Sequence, residues 1–195
     1  MFIRVMSVLL FTICASFAAD EPALEPVFNG KDFTGWKVPA TNPWWTIADG
    51  VLIGQNDEKM KGNTLETEKE YQDCVVEAQV RWTGEIDSGI FVRKGQKWQC
   101  QIGVSRSLKK DMTASVYAGG KYPIHANAEK FIKVGEWNAF RIEAKGDHYK
   151  IWLNGQLVVD QDLPGYNAPG PIGLQIHAGL KMKVEFKDVK AAELK

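Results

Sequence analysis

Three stretches of this chain alternate apolar and polar side chains with a period of two. They are Ser88-Gly89-Ile90-Phe91-Val92-Arg93, Trp98-Gln99-Cys100-Gln101-Ile102 and Ile172-Gly173-Leu174-Gln175-Ile176-His177. Successive side chains of a β-strand point to opposite faces of its sheet, so this spacing fits half-buried strands and not the 3.6-residue period of a helix. With Ile90, Val92, Cys100, Ile102, Ile172, Leu174 and Ile176 turned inward, Arg93, Gln99, Gln101, Gln175 and His177 fall on the opposite face. If these strands share one sheet, that face gathers long polar side chains and an imidazole. Such a surface suits a cleft for sugar hydroxyls or a hydrolytic site; a solvated face of an antiparallel sheet has the same pattern.

The rest of the chain reads as all-β. Short β-branched and aromatic runs recur between turn signals. Asp49-Gly50 separates Trp45-Thr46-Ile47-Ala48 from Val51-Leu52-Ile53, and Asn154-Gly155 separates Trp152-Leu153 from Leu157-Val158-Val159. Both dipeptides favour the positive-φ turns of tight hairpins. Residues 73–82 form a long strand. A turn of helix is expected over Glu66–Tyr71, and Ser105–Val134 is the least regular region, with Tyr117, Tyr122 and His125 inside it. Many antiparallel strands and no long amphipathic helix predict a two-sheet sandwich of jelly-roll type. A sandwich of this kind offers a concave sheet to a ligand.

The first residues have another character. Arg4 is followed by an apolar run, Val5–Phe17, too short to span a bilayer, and then by small residues. This is the pattern of a signal peptide. Residues 1–18 are expected to be a signal peptide, 19–26 a leader and 27–195 one domain, exported to the periplasm or the cell exterior, with no stable membrane span once the signal is cut. Lys and Arg (24) balance Asp and Glu (24), so no basic stripe marks a nucleic-acid partner. Export permits a disulfide between Cys74 and Cys100, both at core parity; two buried thiols fit equally well. After the expected signal peptide, two cysteines and three histidines without short ligand spacing give no expected zinc site, and no metal or cofactor is expected. The oligomeric state is not legible.

No nucleophile elbow, phosphate loop, dinucleotide fingerprint or His-Glu-x-x-His is present. Glu77, Gln79 and Arg81 on one strand face, and Arg141 with Glu143, read as surface cross-strand partners rather than as the paired carboxylates of an ordinary glycosidase. Seven segments do resemble a known family in its order. They are Phe28-Asn29-Gly30-Lys31-Asp32-Phe33-Thr34-Gly35-Trp36, Trp45–Leu52, Ser88–Arg93, Gln99–Ile102, Gly135-Glu136-Trp137-Asn138, Trp152-Leu153-Asn154-Gly155 and Gly173–His177. The family is the 3-keto-disaccharide hydrolase domain, and the resemblance spans nearly the whole chain after the leader.

The resemblance implies a concanavalin-like lectin/glucanase jelly roll acting on a glycoside already oxidised at C3. The keto group acidifies the C2 proton; a base removes it, the C1 substituent leaves, and water adds back. Such a site needs a base, an enolate stabiliser and an acid. Within the cluster, His177 is then the expected base or acid, Arg93 the enolate stabiliser and Asp87 a carboxylate at the rim. Gln99, Gln101, Gln175 and Tyr117 are the expected substrate contacts. The chain departs from the family pattern at Gln99, where many members carry Glu, at Gly103, where many carry Asp, and at Asp87, where relatives often have Asn. An amide at position 99 takes up no proton, so a non-catalytic carbohydrate-binding module is the alternative.

Overall fold

The computed structural model describes residues 22–93 and 97–195. The expected signal peptide lies outside the described residues. Two antiparallel sheets carry almost all the regular structure, and no α-helix is present among the described residues. In the first sheet the order is β14 (Gln156–Asp162), β13 (His148–Leu153), β12 (Asn138–Lys145), β6 (Cys74–Trp82), β16 (Lys183–Glu193), β4 (Val51–Gln55) and β3 (Trp45–Ala48), with β1 (Glu25–Pro26) on β16. In the second it is β11 (Lys121–Ile124), β10 (Val116–Ala118), β8 (Trp98–Ser105), β7 (Asp87–Phe91), β15 (Gly170–Ile176), β5 (Asn63–Tyr71) and β2 (Trp36–Lys37), with β9 (Lys110–Asp111) on β8. Hairpins such as β12–β13–β14 join pairings of strands distant in the chain, such as β6 with β16 and β5 with β15, as in a jelly roll. The chain enters the sandwich earlier than residue 27, because Glu25 and Pro26 pair with Ala191 and Lys190.

One core fills the space between the sheets. Val76, Ala78 and Val80 of β6 and Phe140, Ile142 and Ala144 of β12 meet Ile90, Cys100, Ile102, Ile172 and Leu174 of the second sheet. Trp98 stacks on Tyr149 from the opposite sheet, with ring centroids 4.7 Å apart. Cys74 and Cys100 both point into this core and are free thiols. Burial pushes the Cys74 thiol up to about 12 and raises Cys100 as well, so neither forms a thiolate at neutral pH.

The outer faces differ. Along β12 and β13 burial alternates residue by residue, the pattern of a sheet with one wet face. On the wet side Arg141 lies opposite Glu77 and bonds it at 2.6 Å, as cross-strand pairing predicts. β7 and nearly all of β8 and β15 are buried on both faces. Something covers the outside of the second sheet there.

Turn chemistry behaves as the dipeptides demand. Asp49 and Gly50 have φ of 51° and 75°, and Asn154 and Gly155 have 50° and 80°. Asn154 also locks the fold: its side chain accepts from Ala139 N (2.9 Å) and donates to Asn138 Oδ1 (2.9 Å). Glu66–Tyr71, expected as a helical turn, is strand instead. It pairs with β15 and β2, and that tertiary pairing overrides a local helical preference.

Candidate functional site

The cover over the second sheet is the returning chain after β8. Strand parity turns Asp87, Gln99, Gln101 and Gln175 to the outer face of three neighbouring strands, with His177 just beyond the end of β15. β10 pairs with β8 so that Tyr117 stands opposite Gln99. These six residues line a pocket of about 180 Å³, closed by Ser105, Arg106, Ser107 and Tyr122. Tyr117 and Tyr122 form its aromatic wall, with centroids 5.0 Å apart. A larger groove of about 800 Å³ lies along β1 and residues 191–195. Its polar residues include exposed surface pairs such as Lys69–Glu193. The smaller pocket is the candidate site, because its polar side chains are buried and bonded to one another.

Its floor is one hydrogen-bonded chain. Asp87 Oδ1 accepts from Gln101 Nε2 at 2.8 Å, and Asp87 Oδ2 accepts from the Arg106 backbone N–H at 2.9 Å. A carboxylate only accepts, so the amino end of Gln101 must face Asp87. Gln101 Oε1 then faces away and receives two donors, Gln99 Nε2 (2.7 Å) and the Tyr122 hydroxyl (3.0 Å). Gln99 Nε2 also donates to Ser88 O at 3.2 Å. Burial pushes the Tyr122 hydroxyl up to about 12, with the Asp87 charge adding to the shift, so it remains a neutral donor.

Gly89 makes this possible. A Cβ there would sit 2.6 Å from the Gln99 amide, so only glycine lets Gln99 lie across β7. Gly103 is also obligatory. Its φ is 84°, and a Cβ would meet Ile86 O at 2.4 Å. An Asp at this position would strain the backbone of this chain.

His177 stands at the rim. Its backbone N–H donates to Asp87 O at 3.3 Å, and its backbone carbonyl is held by Asn56 Nδ2 at 2.8 Å. The ring nitrogen Nδ1 lies 2.7 Å from Ala178 O. A carbonyl cannot donate, so Nδ1 carries hydrogen, and in the neutral ring Nε2 holds the lone pair. Arg106 brings a positive charge to the same rim, its Nη1 held on Gly179 O at 2.8 Å. Gln175 Oε1 is buried with no hydrogen-bond partner among the described residues. Among those residues, too, no group of three or more His, Cys, Asp or Glu is placed to hold a metal ion.

Arg93 does not join the cluster. β7 ends at Phe91, and Arg93 takes φ 57°, which breaks the alternation that put it on the outer face. Its guanidinium is fully buried. It bonds Asp73 at 3.1 Å and Gly146 O at 2.8 Å, and lies 4.8 Å over the Tyr149 ring. The expectation of Arg93 as a cleft residue is corrected here: it ties the end of β7 to the first sheet. The positive charge at the cleft belongs to Arg106, which sequence reading missed. Arg106 follows Gln99, Gln101, Gly103 and Ser105, which share one parity along β8, and that succession pointed to the end of the strand. Tyr122 joins the site from the irregular region, where strand alternation gives no signal.

Comparison with known proteins follows this geometry. A family model described as a 3-keto-alpha-glucoside-1,2-lyase-like domain matches residues 23–192. No curated protein matches the chain. Among solved structures, a candidate glycosyl hydrolase from Parabacteroides distasonis ATCC 8503 aligns with TM-score 0.67 and 22% identity, covering 88% of this chain and 94% of that one. The carbohydrate-binding module CBM66 from Bacillus subtilis aligns with TM-score 0.55 and 22% identity, covering 81% and 96%. A Bacillus licheniformis β-glucanase aligns with TM-score 0.59 and 14% identity, covering 91% and 100%. At these identities the likeness is one of fold.

Proposed function

The chain belongs to the 3-keto-alpha-glucoside-1,2-lyase-like family, and on that premise we propose that it cleaves glycosides carrying a ketone at C3. The observation that carries the reading is the pocket itself. It joins a histidine whose tautomer leaves Nε2 as a base, an arginine, and hydroxyl-binding amides, without a pair of facing carboxylates. Its volume, about 180 Å³, is below the ~300–1,000 Å³ of drug-sized sites and suits one sugar ring.

In the proposed reaction His177 Nε2 takes the C2 proton. The C–H electron pair passes into an enolate whose oxygen faces the Arg106 guanidinium. The enolate collapses, the C1=C2 double bond forms, the C1–O bond breaks, and the leaving oxygen takes a proton back from the imidazolium. Addition of water across C1=C2 completes hydrolysis. Gln99 and Gln175 hold the ring, Gln101 keeps Gln99 in place from below, and the Tyr117–Tyr122 wall packs against the sugar. Asp87 orients the amides. We also propose export, with residues 1–18 as the signal peptide.

The test is release of p-nitrophenol from p-nitrophenyl 3-keto-α-glucoside and from its unoxidised counterpart. Release from the keto sugar alone supports the reading. One observation favours a second reading, a carbohydrate-binding module: the floor carries a neutral amide at Gln99. Sugar binding without release of p-nitrophenol from either compound would favour that reading.

A further inference from the structure

Among the described residues, Gln175 is the one side chain of the cleft with a buried polar atom left unpaired. Its backbone is fixed, because Gln175 O accepts from Ser88 Oγ at 2.7 Å. Asp87 commits three donors of the same pocket elsewhere. By demanding the amino end of Gln101, the carboxylate fixes the Gln101, Gln99 and Tyr122 donors within the floor. Gln101 Nε2 is used on Asp87, Gln99 Nε2 on Ser88 O and Gln101 Oε1, and the Tyr122 hydroxyl on Gln101 Oε1. None of these donors can turn to Gln175 without breaking the chain of bonds that begins at the charge.

We infer that Gln175 is a specificity-determining residue, whose Oε1 is the seat of a hydroxyl donor on the bound sugar ring. The inference rests on the proposed function and deepens it: the substrate carries a free hydroxyl at this seat, and a ring deoxygenated there is rejected. A site built to bond a hydroxyl discriminates strongly against an analogue that lacks it, because the buried acceptor is then left unpaired. The bond forms on binding and persists through the reaction, so its loss raises KM and leaves kcat nearly unchanged.

The experiment compares wild type, Gln175→Met and Gln175→Glu in the full chain. Gln175→Met fills the same space without an acceptor, and Gln175→Glu keeps one. Expected for Gln175→Met is a melting temperature at or above that of wild type, with KM for p-nitrophenyl 3-keto-α-glucoside raised about tenfold or more. Gln175→Glu should hold KM closer to wild type. A lowered melting temperature with unchanged KM in Gln175→Met would show a structural role and overturn the inference. If wild type cleaves no keto sugar, the functional reading fails, and calorimetry with methyl α-glucoside decides for Gln175 alone. Binding by wild type that is lost in Gln175→Met upholds the seat. Equal binding, or none by wild type, overturns it.

Discussion

Gln101 donates its amide N–H to Asp87 at 2.8 Å, and this bond sets the direction of the others on the floor of the cleft. Asp87 is buried and satisfies two donors, the second being the Arg106 backbone. Asp87→Asn offers one acceptor where two are needed. Either Gln101 or the Arg106 N–H then loses its partner, at a cost of about 1–3 kcal/mol. The urea midpoint should fall accordingly, and binding should weaken because the amides no longer hold one orientation.

Arg93→Ala should act on stability. The truncation leaves Asp73 and Gly146 O without their guanidinium and opens a gap beside Tyr149. Asp73 is one-third exposed, which softens the loss. The expected cost is on the order of 2–3 kcal/mol, read as a lower denaturant midpoint. Turnover per folded molecule should stay near wild type. A selective loss of turnover in a fully folded variant would return Arg93 to the catalytic machinery.

Gly103→Ala should destabilise the protein by more than 1 kcal/mol. The position combines a positive φ with a carbonyl only 2.4 Å from the added Cβ. Gly155→Ala shares the positive φ but has open space, so it should cost less. Equal melting temperatures for the two variants would contradict the clash.

His148 gives a pH signature. Its ring nitrogens face Asp162 and Asp160 at 2.6 and 2.7 Å, and these bonds raise its pKa, Asp162 most strongly. The folded value lies above the unfolded one near 6.5. The stabilisation is therefore complete below about pH 6.5 and disappears as pH rises through the raised folded value. His148→Gln should lower the melting temperature in mild acid and lose that difference at alkaline pH. The effect is small, because the cluster is exposed and screened.

Much of the cleft was legible because side-chain alternation is a geometric property of strands. Alternation alone assigns Gln99, Gln101 and Gln175 to one face, and turn chemistry alone gives the hairpins at Asp49-Gly50 and Asn154-Gly155. What alternation cannot carry is its own end point. Arg93 lies two residues past β7, where a positive φ redirects the chain, and its polar head found Asp73 instead of the cleft. Arg106 and Tyr122 lie in the returning segment, whose path depends on tertiary pairing of β10 with β8. Cys74 and Cys100 shared core parity, but parity does not give the distance between sulfurs; both are free. Glu66–Tyr71 shows the same limit, since pairing partners decided its form.

The central claim is that His177 removes the C2 proton of a 3-keto-glycoside. It is tested most directly by the rate of p-nitrophenol release from p-nitrophenyl 3-keto-α-glucoside bearing hydrogen or deuterium at C2, with wild type and His177→Ala. The expected result is slower release from the deuterated sugar by wild type, and a loss of about a hundredfold or more in kcat/KM for His177→Ala at unchanged melting temperature. Release that is insensitive to deuterium and undiminished in His177→Ala would contradict it.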